Sequence, residues 1–257
     1  MKPDNVICEF LGGSHLYGLN TPSSDEDVRG IFVNTEPAYI LGTRRFDEAR
    51  KQNPDIKEDV VYKELSHFMR LLNQANTEAL ELLFAPIENF TSYSDQFERI
   101  QSKRNNLIDS KRLFNCLRGY MQGEYRLAVG QRTGQLGGKR YEQVQKYGFS
   151  PKNFTQLFRL AYVGRTFFTE NRFVVNVRNE PIYEKLMAIK TQPEKFSKES
   201  LTQDFEEAEK ALVQAFERRA VTHHFEEEVA NDILVEIYHP YITARYQIVR
   251  KGGHCLL

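Results

Sequence analysis

The feature that most constrains this chain is a short apolar run followed by two glycines and a serine. Residues 6–11 (VICEFL) are mostly apolar and end at Gly12 and Gly13, which predicts a buried strand followed by a tight turn. Ser14 comes next and is a suitable N-cap for a brief helix. A turn that leaves a strand and enters a helix exposes backbone N–H groups and, here, a hydroxyl. This segment therefore suits a phosphate group.

Two aspartates lie shortly after this turn, at the beginning of a second predicted strand. Asp25 and Asp27 are separated by one residue. Residues 27–33 show the alternation of side-chain type that is typical of a strand. Side chains two positions apart on a strand point to the same face, so the two carboxylates would lie side by side. The two negative charges repel each other unless a cation lies between them. Hard oxygen ligands of this kind predict Mg²⁺ or Mn²⁺.

A third carboxylate is expected on a neighbouring strand. If the site holds two cations ~3.5–4 Å apart, they need more negative charge than two aspartates supply. Glu58 and Asp59 begin a third predicted strand, residues 59–62. We favour Asp59, because Val61 then shares its face of the strand while Glu58 lies on the other. The alternation of side chains along the strand does not by itself decide which of its two faces carries the site.

The rest of the chain is predicted to be mainly helical. Residues 42–57 are interpreted as a polar loop and residues 172–177 as a short strand. We therefore predict an α+β fold, with a small mixed sheet in residues 1–100 followed by a mainly helical module in residues 101–257. The predicted helices beyond residue 90 lie near 107–129, 151–169, 203–220 and 226–248.

Composition excludes several classes of protein. No apolar run approaches the ~18 residues that a membrane-spanning helix needs, and residues 1–10 do not resemble a secretory signal. The three cysteines (Cys8, Cys116 and Cys255) are an odd number and lie far apart, which argues against a disulfide framework. We therefore expect a cytoplasmic protein that does not act in a membrane.

Positive charge is concentrated in one part of the chain. The whole sequence balances 35 basic against 35 acidic residues, but residues 103–165 contain thirteen basic residues and three acidic ones. Such a segment attracts anionic partners such as RNA. A charge cluster alone is more often a solvated helix face, so the RNA interpretation depends on another motif that demands an anionic substrate.

Taken together, these motifs resemble a known family. Gly13-Ser14, residues 16–19, residues 24–27 and Arg29-Gly30 are similar to the signature of the DNA polymerase beta superfamily of nucleotidyltransferases. Within it they resemble the branch associated with RNA-repair genes. The resemblance continues at residues 59–65, 81–86 and 146–148, and at Lys152, Arg159 and Leu160.

The resemblance implies roles for individual residues. Asp25 and Asp27 would hold two divalent metal ions, and Asp59 would hold the catalytic one and orient the attacking hydroxyl. Ser14 and the backbone near Gly13 would bind the triphosphate. Arg29 is either part of this site or a structural ion-pair partner. The residues that would neutralise the leaving pyrophosphate are Lys146, Lys152 and Arg159.

The implied reaction moves a nucleoside monophosphate from a nucleoside triphosphate, such as ATP, to a hydroxyl and releases pyrophosphate. We expect RNA with a tRNA-like end as the acceptor, bound by Arg132, Lys139 and Arg140. Two alternatives stay open: an acceptor on a protein side chain or small molecule, and a catalytically silent nucleotide or RNA sensor. Gln156 stands where this branch often has a histidine, which leaves the substrate choice in question.

Overall fold

The computed structural model describes residues 2–53, 58–131 and 138–252. Within them a five-stranded mixed sheet forms near the N-terminus, with strand order β3-β4-β2-β1-β5. Its strands are β1 (Val6–Leu11), β2 (Glu26–Phe32), β3 (Glu48–Asn53), β4 (Glu58–Glu64) and β5 (Phe90–Tyr93).

Helices make up most of the remaining described residues, which confirms the predicted α+β class. None of the helices in these residues is long and apolar enough to cross a membrane. The helices are α1 (Gly13–Leu16), α2 (Pro37–Ile40), α3 (Leu65–Asn73), α4 (Thr77–Phe84), α5 (Asp95–Ser102), α6 (Ser110–Ala128), α7 (Gly138–Tyr147), α8 (Pro151–Glu170), α9 (Tyr183–Thr191), α10 (Lys198–Glu217) and α11 (Glu227–Gly252).

Strand register brings two of the predicted carboxylates together. β2 and β4 run parallel, and Asp27 pairs with Asp59 across them. Arg29 lies opposite Val61 in the same ladder, so these four residues occupy one face of the sheet. β2 also pairs antiparallel with β1, as β4 does with β3. Asp27, Arg29 and Asp59 therefore lie on two adjacent inner strands of the sheet.

Three local predictions were wrong. Ser14 is not the N-cap of the brief helix, because α1 begins at Gly13 with Gly12 as its N-cap, and glycine has no side chain with which to cap it. Within the predicted polar loop 42–57, residues 48–53 form β3 (EARKQN), which pairs with β4 as an edge strand, and residues 54–57 lie outside the described residues. Its polar sequence lacks the apolar alternation that reveals a half-buried strand. Residues 172–177 form no strand; Phe173 instead stacks on Phe84, with ring centroids 4.8 Å apart. The Val177 N–H donates to the Tyr17 carbonyl, which ties this segment to the end of α1.

Helix α8 is the central element of the helical part. Most of its residues are buried, and it packs between α6 and α10. Gly164 allows this close approach, because a Cβ there would lie 2.6 Å from Leu212 Cδ1 and 2.8 Å from Leu117 Cδ1. Buried residues from the sheet and from these helices form one continuous hydrophobic core. The division at residue 100 stays a prediction.

Candidate active site

The Gly-Ser turn and the second aspartate are in direct contact. The Gly12 N–H donates to the Asp27 carbonyl at 2.6 Å. Gly13 has φ +57°, and a Cβ there would lie 2.4 Å from Asp27 Oδ2. Only glycine meets both conditions, since other residues rarely adopt this φ and would collide with the carboxylate. The glycine thus sets how closely the Asp27 carboxylate approaches the turn.

A cleft of about 670 Å³ opens beside this contact. That volume is within the usual range for small-molecule sites. Its walls come from the sheet, from the first turns of α8 and from α6, α7 and α9. The polar side chains that matter below are Ser14, Asp25, Asp27 and Arg29, together with Glu81, Glu124, Gln143, Lys152, Asn153, Gln156 and Lys190.

Asp59 lies next to Asp27 in the ladder and is bound by two arginines. Arg29 Nη2 is 3.0 Å from Asp59 Oδ2, and Arg50 Nη2 is 3.2 Å from the same oxygen. Arg29 Nη1 also donates to the Asp59 carbonyl at 2.7 Å, and its Nη2 lies 3.7 Å from Asp27 Oδ1. Hydrogen bonding to Asp59 raises the pKa of Arg50. Arg29 therefore bridges the two carboxylate-bearing strands.

The carboxylates fit a hard divalent cation in ligand type. Asp25 and Asp27 line the cleft and provide oxygen atoms, the donors that Mg²⁺ and Mn²⁺ take. Within the described ranges, no three His, Cys, Asp or Glu side chains are grouped closely enough to hold a metal ion on their own. Asp59 is instead paired with Arg29 and Arg50. A cation at Asp25 and Asp27 would need further oxygens from substrate or water.

The basic residues predicted to face pyrophosphate occupy different places. Lys152 lines the cleft at the start of α8 and is exposed. Lys146 is exposed on α7, with its Nζ 4.8 Å from the centre of the Tyr147 ring, and does not line the cleft.

Arg159 is fully buried behind the cleft wall. Its Nη2 forms an ion pair with Glu81 Oε1 at 2.6 Å, and its guanidinium lies 3.5 Å from the centre of the Tyr17 ring. The Tyr17 hydroxyl donates to Glu81 Oε2 at 2.7 Å. Burial, followed by the charge of Glu81, raises the pKa of Tyr17. This triangle joins the residue after α1 to α4 and α8, and Gln156 accepts from Arg159 Nε at 3.2 Å.

Two of the three residues predicted to bind the acceptor lie in a helix. Arg132 lies outside the described residues. Lys139 and Arg140 lie in the first turn of α7. Their role in binding an acceptor stays a prediction.

Sequence reasoning missed several charged residues of the cleft, Lys190 and Glu124 among them. Lys190 lies on α9, which no sequence pattern predicted, and its Nζ donates to the Leu19 carbonyl at 2.5 Å. Burial and the neighbouring Lys152 lower its pKa. Glu124 lies in a predicted helix, but nothing in the local sequence distinguishes it from a solvated glutamate. Only the packing of α6 against α8 brings it to the cleft.

Comparison with known proteins gives a family match. A family described as RlaP, the RNA repair pathway DNA polymerase beta family, matches residues 3–142. An uncharacterised 38.9 kDa protein from the nrdC-mobD intergenic region of Enterobacteria phage T4 is 28% identical over 89 residues. That alignment covers 32% of this chain and only 26% of the phage protein. A solved structure, of a nucleotidyltransferase-like protein from Exiguobacterium sibiricum 255-15, is 12% identical in sequence with a TM-score of 0.32. That match covers 97% of this chain and 87% of the solved chain.

Proposed function

Because the chain belongs to the RNA repair pathway DNA polymerase beta family, we propose that it is a metal-dependent nucleotidyltransferase. It would move a nucleoside monophosphate from a nucleoside triphosphate to a hydroxyl acceptor. The observation that carries the proposal is the contact between the Asp27 carboxylate and the Gly13 turn at the edge of a cleft. This arrangement puts a cation-binding group next to phosphate-binding donors.

Asp25, Asp27 and Asp59 would hold Mg²⁺ or Mn²⁺. When bound, the cation supplies positive charge that favours attack on the α-phosphorus. Ser14 and the backbone at Gly13 would donate hydrogen bonds to the triphosphate, and positioning by these groups contributes to the rate.

The reaction exchanges one phosphorus–oxygen bond for another. The acceptor oxygen forms a bond to the α-phosphorus while the bond from that phosphorus to the bridging oxygen breaks. Pyrophosphate leaves with the electron pair, and the hydroxyl proton passes to Asp59. Lys152 is the member of the predicted basic set that lines the cleft, and Lys190 joins it there to neutralise the departing charge.

The direct test is label transfer. The full chain is incubated with each α-labelled nucleoside triphosphate, Mg²⁺ or Mn²⁺, and a cell extract separated into RNA and protein fractions. We expect label in the RNA fraction and an equal amount of released pyrophosphate. An Asp25→Asn/Asp27→Asn double variant is the blank. Label in the protein fraction alone would move the acceptor to a side chain, and nucleotide binding without pyrophosphate release would point to a sensor.

An RNA acceptor also predicts binding that weakens steeply with salt. RNA releases counterions when basic side chains neutralise its phosphates, so the logarithm of affinity falls linearly with that of salt concentration. Reversing Arg132, Lys139 and Arg140 to glutamate is expected to weaken RNA binding by about tenfold or more at ~0.1 M salt and to flatten the slope. Fluorescence anisotropy with a labelled RNA hairpin measures both.

A variant with equal charge change provides the control. Lys195, Lys210 and Arg218 are exposed residues outside the basic segment. Their reversal is expected to leave RNA affinity within about threefold of the parent, since exposed charges that do not contact the RNA are largely screened by salt. Equal losses in the two triple variants would mean that net charge, rather than a local surface, controls binding.

Arg50 should compete with a divalent cation for Asp59. Its guanidinium is half exposed and lies 3.2 Å from Asp59 Oδ2, so a cation at that oxygen must replace it. We expect Arg50→Gln to tighten Mn²⁺ binding by roughly threefold to fivefold, the value of an exposed ion pair. Electron paramagnetic resonance titration of free Mn²⁺ measures this without turnover. Arg45→Gln, which removes an exposed arginine paired with Asp47, is the matched control. Equal tightening in both variants would contradict the local competition.

A further inference from the structure

Glu124 is held in the cleft wall by a chain of buried polar side chains. The Ser150 hydroxyl donates to Asn153 Oδ1 at 2.6 Å, and Asn153 Nδ2 donates to Glu124 Oε2 at 2.7 Å. Ser150 is 0% exposed and Asn153 is 2% exposed. The serine hydrogen bond sets which end of the Asn153 amide faces Glu124. Two buried residues therefore fix one carboxylate oxygen in place.

This carboxylate has no ion-pair partner within 4.0 Å among the side chains that the structure describes. It is half-buried and lines the cleft together with Gln143 and Asn153. A carboxylate accepts several hydrogen bonds, and Asn153 supplies only one. A half-buried acceptor held in this way is suited to a ligand that brings hydrogen-bond donors.

The chemistry of a nucleotide determines which part of it can meet Glu124. Phosphate oxygens carry negative charge and would be repelled, whereas exocyclic amino groups and sugar hydroxyls donate hydrogen bonds. Among the described residues, four cations line the cleft. Arg29 and Lys63 already pair with carboxylates of the chain, so Lys152 and Lys190 are the groups that suit the phosphates. The carboxylate therefore belongs to the nucleoside half of the substrate.

We propose that Glu124, positioned by Asn153 and Ser150, recognises the nucleoside through an exocyclic amino group of the base or a hydroxyl of the sugar. This inference rests on the proposed function, since it assigns part of the same cleft. It makes Glu124 a residue that determines specificity and leaves the transfer chemistry to the aspartates.

A structural role for Glu124 has to be distinguished from this one. Ser150 precedes the first turn of α8, and a carboxylate near a helix N-terminus stabilises the helix. Glu124→Gln keeps the length of the side chain and an oxygen for Asn153 but removes the charge. Glu124→Asp keeps the charge but shortens the side chain by one methylene, so the carboxylate lies farther from the cleft. A purely structural role would change the melting temperature and leave nucleoside selectivity intact.

The experiment measures affinities by calorimetry with Ca²⁺ in place of Mg²⁺, which separates binding from turnover. The base arm compares pairs that differ at an exocyclic amino group: ATP with purine riboside triphosphate, GTP with ITP, and CTP with UTP. The sugar arm compares ATP with 2′-deoxy-ATP and 3′-deoxy-ATP. We expect the wild-type chain to favour the donor-bearing member of at least one pair by about tenfold, the value of a hydrogen bond to a charged group.

Both Glu124 variants are expected to abolish that preference and to leave the affinity for inorganic tripolyphosphate unchanged. Glu142→Gln, at an exposed carboxylate on α7, is the charge-matched control and should leave all ratios as they are. Unchanged ratios in Glu124→Gln would overturn the inference while the proposed function stands. An equal loss of affinity for tripolyphosphate and for the nucleotides in these variants would also overturn the inference. A wild-type chain that binds neither nucleotides nor tripolyphosphate would overturn both.

Discussion

Replacing Asp27 with asparagine is expected to slow nucleotidyl transfer by about a thousandfold or more, which corresponds to ~4 kcal/mol of transition-state stabilisation. The physical reason is the loss of a formal negative charge at the position where β2, β4 and the Gly13 turn meet. An amide has one acceptor oxygen and no charge, so it binds a hard divalent cation far more weakly. The initial rate of pyrophosphate release at saturating nucleotide measures the effect.

The fold should survive this substitution. Asparagine has nearly the shape of aspartate, and the hydrogen bond from the Gly12 N–H is made to the Asp27 main chain and therefore persists. Glu26→Gln is the matched control, because this exposed carboxylate is adjacent in sequence but lies on the opposite face of β2. A Glu26→Gln variant as slow as Asp27→Asn would show that general charge, rather than position, controls the rate.

Strand periodicity made the placement of Asp27, Arg29 and Asp59 predictable. It also placed Asp25 on the strand, whereas that residue lies just before β2. Alternation along a strand places Asp27 and Arg29 on one face, and the same rule places Asp59 with Val61. Pairing of β2 with β4 required only that the two predicted strands be neighbours, and the observed register brings Asp27 opposite Asp59. The glycine turn was predictable as well, since the sequence Gly12-Gly13-Ser14 after an apolar run marks a tight connection into a helix.

Arg50, Glu124 and Lys190 could not be predicted, because they come from an element with no apolar pattern or reach the site only through distant packing. Arg50 reaches Asp59 only because the polar segment around it is an edge strand. Glu124 and Lys190 reach the cleft because α6 and α9 pack against α8. Charge alone does not distinguish Lys152, which lines the cleft, from Arg159, which is buried behind it.

The position of Arg159 leads to a prediction about stability. Replacing Glu81 with leucine is expected to lower the free energy of unfolding by about 3–5 kcal/mol, the usual cost of leaving one charge of a buried pair without its partner. Arg159 is 0% exposed and the Glu81 side chain is 6% exposed, so water cannot replace the lost carboxylate. The Tyr17 hydroxyl loses its acceptor in the same variant. Urea denaturation followed by circular dichroism measures the change.

A double variant separates the charge from the space that it occupies. Glu81→Leu/Arg159→Met removes both charges with similar volume and should recover most of the lost stability, because neither buried ion then needs a partner. Glu170→Gln, which breaks the exposed pair with Arg172, is the control and should cost less than about 1 kcal/mol. If Glu81→Leu alone costs as little as that control, the buried pair does not hold α4 and α8 together. If the double variant unfolds as easily as the single one, the contacts of the arginine side chain, including its stacking on Tyr17, matter more than its charge.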